Sequence, residues 1–310
     1  EKSKTIFDAI QSFQDKDDEL FVSISSFYQD AQKGIMTNEL IKNKADFKKN
    51  STEFYPYINT NEMFSQFMMS ESNILLLAGV PGTGKTRLGD SFMEYLLDTT
   101  DLELGTKKKT LSQDVGDTTY DIGIITQESE GIKVAYIKNE EILSQDTLWN
   151  ILQEDEYHLV FLDDLDYSLL PRTQNISTSE DIQKNKFISN LLSFTDGIFD
   201  SGNKTKFIIT TNKTVAEIDS AVLRKGRTFD ILELRELKHE EAGEIWVNKG
   251  LDLDEFNETF KDETVLQADL GTTINMKLKA QKDKVKLKPY IIEEGISVYS
   301  KTKTGTKIGL

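Results

Sequence analysis

The sequence predicts an α/β fold: a parallel sheet between layers of helices, preceded by a helical N-terminal extension and followed by a small all-α lid. Three observations lead there. Short, continuous apolar runs such as Ile74–Ala78 and Leu159–Leu162 read as strands buried on both faces. Stretches of helical periodicity fall between them, and alternating strands and helices imply parallel strands joined by crossovers. After Arg235 the strand-like runs stop and helical patterns take over.

The first 70 residues read as polar and helical. Ile6, Phe7, Ile10 and Phe13 recur at helical spacing, as do Phe21, Ile24, Phe27 and Tyr28. Phe54-Tyr55-Pro56-Tyr57 breaks the pattern, because proline disfavours helix at the residue before it. A short helix over 60–69 leads into the core, taken as 71–236. There the strand candidates are Ile74–Ala78, Lys133–Ile137, Leu159–Leu162 and Phe207–Thr210, with helices near 86–97, 140–153 and 182–195. Residues 118–138 suggest a hairpin beside the sheet, with Gly131 in its turn. The lid, 237–288, carries helical patterns at 238–248, 252–261 and 264–280. The tail, 289–310, is rich in Thr, Lys and Gly, with short strands suggested at Ile291-Ile292 and Ile296–Tyr299.

Composition narrows the function. The chain has 310 residues, 37% hydrophobic and 29% charged, enough for one large domain with a satellite. Its net charge of −16 repels phosphate backbones and anionic membranes over most of the surface. Nucleic acid would need a local basic patch. There is no cysteine, which excludes disulfides, zinc thiolates and a Cys nucleophile. The two histidines, His158 and His239, lie too far apart in sequence for a helical His-x-x-x-His metal motif. No apolar run approaches the ~20 residues that cross a bilayer. The chain begins Glu1-Lys2-Ser3-Lys4, which is no signal peptide and suggests a trimmed terminus; a cytoplasmic protein is expected.

Gly79-Val80-Pro81-Gly82-Thr83-Gly84-Lys85-Thr86 fits the pattern G-x-x-x-x-G-K-[ST]. Glycines let backbone N–H groups turn inward around a polyphosphate, and the following helix adds its N-terminal dipole. Lys85 would reach the β- and γ-phosphates, and the Thr86 hydroxyl would ligate Mg²⁺. Leu159-Val160-Phe161-Leu162-Asp163-Asp164 is an apolar strand ending in two carboxylates, where an open parallel sheet places its ligand crevice. Asp163 is expected to hold Mg²⁺ through water, and Asp164 to polarise the attacking water.

With these motifs the chain resembles a P-loop NTPase of the AAA+ superfamily, a three-layer sandwich, and most resembles the AAA clade of ring-forming ATPases. Asp163-Asp164-Leu165-Asp166 is similar to the family's acidic box. Leu191-Leu192-Ser193-Phe194-Thr195-Asp196-Gly197 resembles a characteristic helix end, and Ile208–Lys213 its sensor-1 strand. Ile218–Asp230 resembles its second region of homology, with one residue inserted before Phe229. The agreement in order and spacing covers about residues 72–235. The resemblance implies ATP/ADP and Mg²⁺ as cofactors. It places Gly79, Pro81, Gly82, Thr83, Gly84, Lys85, Thr86 and Arg87 on the nucleotide and Thr86 with Asp163 on the metal. Asp164 and Asn212 become catalytic groups beside the attacking water. Arg224 and Arg227 become arginine fingers acting on a neighbouring subunit's nucleotide, which implies a homo-oligomeric ring, with a hexamer expected.

Three departures bear on function. The family usually has Glu where Asp164 stands; some replication initiators and helicase loaders of the superfamily share the Asp-Asp pair, so hydrolysis is expected, at a slow rate. No arginine follows Arg235, so an arginine sensor 2 is absent from the lid, although Gln267-Ala268-Asp269-Leu270 faintly resembles a lid segment of the AAA clade. Residues 140–149 lack the aromatic–hydrophobic–Gly pore loop of the family's unfoldases, and Trp149 reads as a core residue. Lysines crowd 277–288, 107–109 and 42–49. They read as solvated faces, and without interleaved aromatics the strip Lys277–Lys288 is a weak nucleic-acid site. The expected function is an ATPase that remodels a protein partner. A DNA-metabolism ATPase and a nucleotide-gated assembly protein with little turnover are the alternatives.

Overall fold

The computed structural model describes residues 21–47, 51–99, 106–115, 118–129, 131–155, 157–172, 178–196 and 205–286. The predicted helix at residues 6–13 and the tail from 289 lie outside them. The chain divides into two compact units, one ending at Leu237 and the other starting at Lys238.

The first unit opens with β1 (Phe21–Asp30) and β2 (Gly34–Asn43), an antiparallel hairpin. This corrects the helix expected from Phe21, Ile24, Phe27 and Tyr28. Val22 and Ile24 are buried, and so is Phe27, an odd number of residues further on. Period-2 alternation therefore puts them on opposite faces of the sheet. A strand buried on both faces shows no single period, so its apolar spacing imitates a helix. Asp30 sets the turn by accepting the backbone N–H groups of Gln32 and Lys33 at 2.9 and 2.8 Å.

Next come α1 (Thr60–Met69), β3 (Ile74–Gly79) and α2 (Lys85–Thr99). β4 (Thr106–Val115) and β5 (Thr118–Ser129) pair with each other as a separate two-stranded sheet. The expected hairpin across Gly131 is thus corrected: β6 (Ile132–Ile137) pairs in parallel with β1, not with β5. The predicted helix at 140–153 splits into a 3₁₀ turn, Glu140–Ser144, and α3 (Asp146–Glu154). β7 (Leu159–Leu162), α4 (Ser179–Asp196), β8 (Lys206–Thr211) and β9 (Thr228–Leu234) complete the unit. β9 went unread in the sequence because, at the sheet edge, it mixes Asp and Glu with its apolar residues.

The seven strands run in the order β2-β1-β6-β7-β8-β3-β9, parallel except for β2. Val160 and Leu162 of β7 enter a core cluster with Trp149 of α3 and Phe187 of α4. Phe161, between them, faces the other way, and a Cβ on Gly89 of α2 would stand 2.6 Å from its ring. Helices therefore cover both faces.

In the second unit α5 (His239–Asn248), α6 (Leu253–Thr259) and α7 (Gln267–Lys286) form the helical satellite. Strands do not end at Arg235 as expected. β10 (Leu237–Lys238) and β11 (Thr264–Val265) make a short two-stranded pair. Phe256 and Trp246 pack at a centroid distance of 5.8 Å in its core.

Trp149 is 7% exposed, its indole N–H donates to the Leu143 carbonyl at 2.8 Å, and its ring meets Phe187, Phe194 and Phe207. Trp149→Ala should cost about 3–5 kcal/mol by leaving a cavity under the sheet, read as a lowered denaturant midpoint.

Candidate active site

The phosphate loop joins β3 to α2, and two close approaches explain its glycines. Gly79 has φ +152°, and a Cβ there would lie 2.3 Å from the Leu234 carbonyl oxygen of β9. Gly84 has φ +84°, and its Cβ would meet the Tyr55 hydroxyl at 2.6 Å. Only glycine accepts both demands. Tyr55 is 1% exposed and donates to the Gly84 carbonyl at 2.6 Å; burial pushes its hydroxyl pKa up. Pro81, Gly82 and Thr83 make the turn, with the Thr83 hydroxyl donating to the Val80 carbonyl at 2.9 Å. Lys85, Thr86 and Arg87 open α2, so its free N–H groups face the loop. The Arg87 guanidinium stacks 3.9 Å from the Phe54 ring centre, and its buried Nε has no hydrogen-bond partner.

The strand order sets the C-terminal ends of β3, β7 and β8 beside this loop. Asp163, just past β7, is 1% exposed. Its Oδ1 accepts the hydroxyls of Thr86 at 2.9 Å and Thr210 at 2.8 Å, and its Oδ2 accepts that of Tyr136 at 2.7 Å. Burial, followed by the bond to Asp163, pushes the Tyr136 hydroxyl pKa up. Asp164 follows in the left-handed region, φ +60°. That conformation costs ~1–2 kcal/mol for a residue with a Cβ. The Thr210 hydroxyl, accepting the Asp164 N–H at 2.8 Å, holds the backbone there. The Asp164 carboxylate lies 2.9 Å from Lys138 Nζ, a contact that raises the lysine's pKa.

Lys85, 5% exposed, donates through Nζ to the carbonyls of Gly79 and Val80 at 2.8 and 3.0 Å and to Asn212 Oδ1 at 2.8 Å. Burial lowers its pKa, opposed by the charges of Asp164, Asp166 and Asp163. Asn212, just past β8, is clamped by Asp166. Its N–H and Nδ2 donate to the two carboxylate oxygens at 2.6 and 2.8 Å, and Thr211 adds a hydroxyl at 3.0 Å. Burial disfavours the Asp166 charge, yet the Asn212 and Thr211 hydrogen bonds outweigh it and hold its pKa below the ordinary value. Glu140 fixes the same loop, accepting the N–H groups of Asp166, Tyr167 and Ser168.

Lys85, Thr86, Asp163, Asp164 and Asn212 therefore meet at one place. Arg224 and Arg227 do not join them. They sit on the turn before β9, and Arg227 O accepts the N–H of Ile74 at the start of β3. β3 has six residues, and the loop is at its other end. At about 3.3 Å per residue, that separates them by roughly 16 Å or more. Arg224 is exposed, and Arg227 donates to the Ala221 carbonyl at 2.8 Å.

Among the described residues no cluster of three or more His, Cys, Asp or Glu could hold a metal. The Thr86 hydroxyl and the Asp163 carboxylate are a pair of hard oxygen donors at a polyphosphate loop. That suits Mg²⁺, which binds through few protein ligands plus phosphates and waters. Both histidines serve structure: His158 accepts the Lys133 N–H, and His239 bridges Asn257 and the Asp262 carbonyl. No helix among the described residues is long and apolar enough to cross a membrane.

Residues 75–236, just over half the chain, match the family model of the ATPase family associated with various cellular activities (AAA). The chain belongs to the AAA family. No curated protein matches it. The matched segment of this AAA ATPase runs from β3 through β9, so the β1–β2 hairpin lies outside the family's own core.

Several site residues were not legible in the sequence. Asp166 stood in the acidic box without a role. Tyr55, Tyr136, Lys138, Glu140 and Thr210 carry no motif, since their place depends on strand register.

Asp166→Asn should leave nucleotide affinity near that of the native chain but lower turnover by roughly tenfold to a hundredfold, because Asn212 loses its clamp. A coupled ATPase assay beside a nucleotide titration checks this. Because the native Asp166 pKa lies below its unfolded value, the stability it adds is present above about pH 4. That stability is lost as pH falls through the native value. The substitution should flatten the acid limb of the unfolding curve.

Proposed function

We propose that this AAA ATPase binds ATP with Mg²⁺ and hydrolyses it as a homo-oligomeric ring, a hexamer on the family pattern, to remodel a protein partner. The observation that carries the oligomer is the place of Arg224 and Arg227. They flank the end of β3 remote from the chain's own phosphate loop, beyond the reach of one arginine side chain. Guanidinium groups with a catalytic role would then act on nucleotide held by a neighbour.

The proposed chemistry follows from the groups that converge. The loop N–H groups and Lys85 hold the β- and γ-phosphates. Mg²⁺, held by Thr86 and, through water, by Asp163, would offset charge developing on those phosphates. Asp164 accepts the proton of the attacking water, while Asn212 orients that water against the γ-phosphate. Arg224 and Arg227 of the adjacent copy stabilise charge spreading over the γ-oxygens, a contribution of ~10³–10⁵ in rate where such fingers operate. Arg87 lies next to Thr86 and completes the nucleotide-binding set.

The remodelling proposed here does not rely on an aromatic grip. In the segment after β6, Ile142, Leu143 and Trp149 are all buried. A nucleic-acid substrate finds little support in the lysine strip, where Lys277 pairs with Glu255. The side chains of Lys282, Lys284, Lys286 and Lys288 lie outside the described residues. The Asp163-Asp164 pair is the feature that favours the DNA-metabolism alternative, and stimulation of ATPase activity by DNA would replace the protein-remodelling reading.

Lys85→Ala should abolish nucleotide binding, and Asp164→Asn should bind ATP while hydrolysing it at least about a hundredfold more slowly. Equal turnover in Asp164→Asn and native protein would remove Asp164 from catalysis.

Specific activity should rise with protein concentration as subunits associate. Mixing inactive Arg224→Ala with inactive Lys85→Ala should restore part of the activity, because one supplies intact pockets and the other intact fingers. Concentration-independent turnover with no rescue would overturn the ring.

A further inference from the structure

Asp163 orients its carboxylate with three hydroxyl groups, and one of them has no other task. Thr86 also stands at the metal position. Thr210 also accepts the N–H of Asp164. Among the described residues the Tyr136 hydroxyl makes one hydrogen bond, to Asp163 Oδ2 at 2.7 Å. It is the one donor to that oxygen among the described residues, whereas Oδ1 takes both threonines. A carboxylate turns easily about its last side-chain bond. Donors on one oxygen alone leave its plane free to rock; a donor on each oxygen fixes it.

The tyrosine is itself held rigidly. β6 pairs with β7 so that Tyr136 lies opposite Phe161, ring centres 5.6 Å apart. Phe161 is pinned in turn against α2, where only a glycine, Gly89, leaves room for its ring. The chain of contact runs from α2 through Phe161 and Tyr136 to Asp163. Tyr136 also lines a cleft of about 530 Å³, together with Thr86, Arg87 and the Lys42–Asp90 ion pair. Nothing else among the described residues hydrogen-bonds Oδ2, so without this hydroxyl the buried oxygen would be left without a donor.

We infer that Tyr136 is a positioning residue for the metal site: its hydroxyl fixes the plane of the Asp163 carboxylate and thereby sets the affinity of the nucleotide site for Mg²⁺. This rests on the reading of Thr86 and Asp163 as the metal-binding pair. Partners that orient a metal ligand typically contribute about 10–100-fold to metal affinity.

The test is Tyr136→Phe, which keeps the ring against Phe161 and removes one oxygen. Binding of a fluorescent ATP analogue is titrated with Mg²⁺, and separately measured in EDTA, using the full chain. Bound Mn²⁺ is counted by electron paramagnetic resonance as a readout independent of turnover. The inference expects unchanged binding in EDTA, with the melting temperature without metal lowered only by the loss of one buried hydrogen bond. It also expects the Mg²⁺ concentration for half-maximal effect to rise roughly tenfold, with weaker Mn²⁺ binding. The same Mg²⁺ and Mn²⁺ dependence as the native protein overturns the inference and leaves the metal pair standing. A loss of binding that is equal with and without metal also overturns it, because the tyrosine would then be supporting the loop as a whole. If native nucleotide binding shows no Mg²⁺ dependence, and Asp163→Ala behaves like the native chain, the metal pair itself fails and the inference with it.

Discussion

Asp163 accepts hydrogen bonds from α2, β6 and β8 while sitting at the end of β7 and almost out of reach of water. A buried carboxylate is tolerated only when its oxygens are satisfied, since an unpaired buried charge is among the costliest features a fold can carry. Meeting that demand fixes four elements relative to one another. The helix must present Thr86, β8 must present Thr210, and β6 must stand in the register that brings up Tyr136. The phosphate loop is then aimed at the acidic strand end as a consequence.

Around this centre the loops are held by carboxylates that accept backbone N–H groups. Glu140 takes three in a row from residues 166–168, and Asp166 clamps Asn212. Further out, Asp219 accepts the N–H and Nε of Arg172 and the N–H of Ala221, tying the segment after the acidic box to the turn region before β9. Burial opposes the Asp219 charge, but these bonds prevail and its pKa falls. Irregular backbone beside a reactive site needs such partners, because its own polar groups have no helix or sheet to satisfy them. The strong negative charge of the chain is thus partly an internal device as well as a surface property.

The β1–β2 hairpin widens the AAA sheet by two strands on the β6 side. Its first strand shields β6, which would otherwise be the sheet edge, and so stabilises the strand that carries Tyr136 and leads to Lys138. The new edge, β2, exposes Leu40 and Ile41. An addition outside the family core therefore supports the acidic site from the far side.

The sequence by itself determined the phosphate loop and the acidic strand end. Each is a run of neighbouring residues whose chemistry needs that local order: glycines where N–H groups must converge, carboxylates where a strand stops. It also determined the alternation of buried strands and helices in the core. Tertiary structure alone decided the rest. Phe21–Tyr28 became a strand because both of its faces are covered, which erases the period that distinguishes strand from helix. Tyr136, Thr210 and Tyr55 became site residues through cross-strand register and packing, which bring together positions separated by tens of residues. The distance of Arg224 and Arg227 from their own loop likewise follows from the parallel pairing of β9 with β3. Such pairings are decided by which surfaces bury best together, a property of the assembled sheet that no single segment contains.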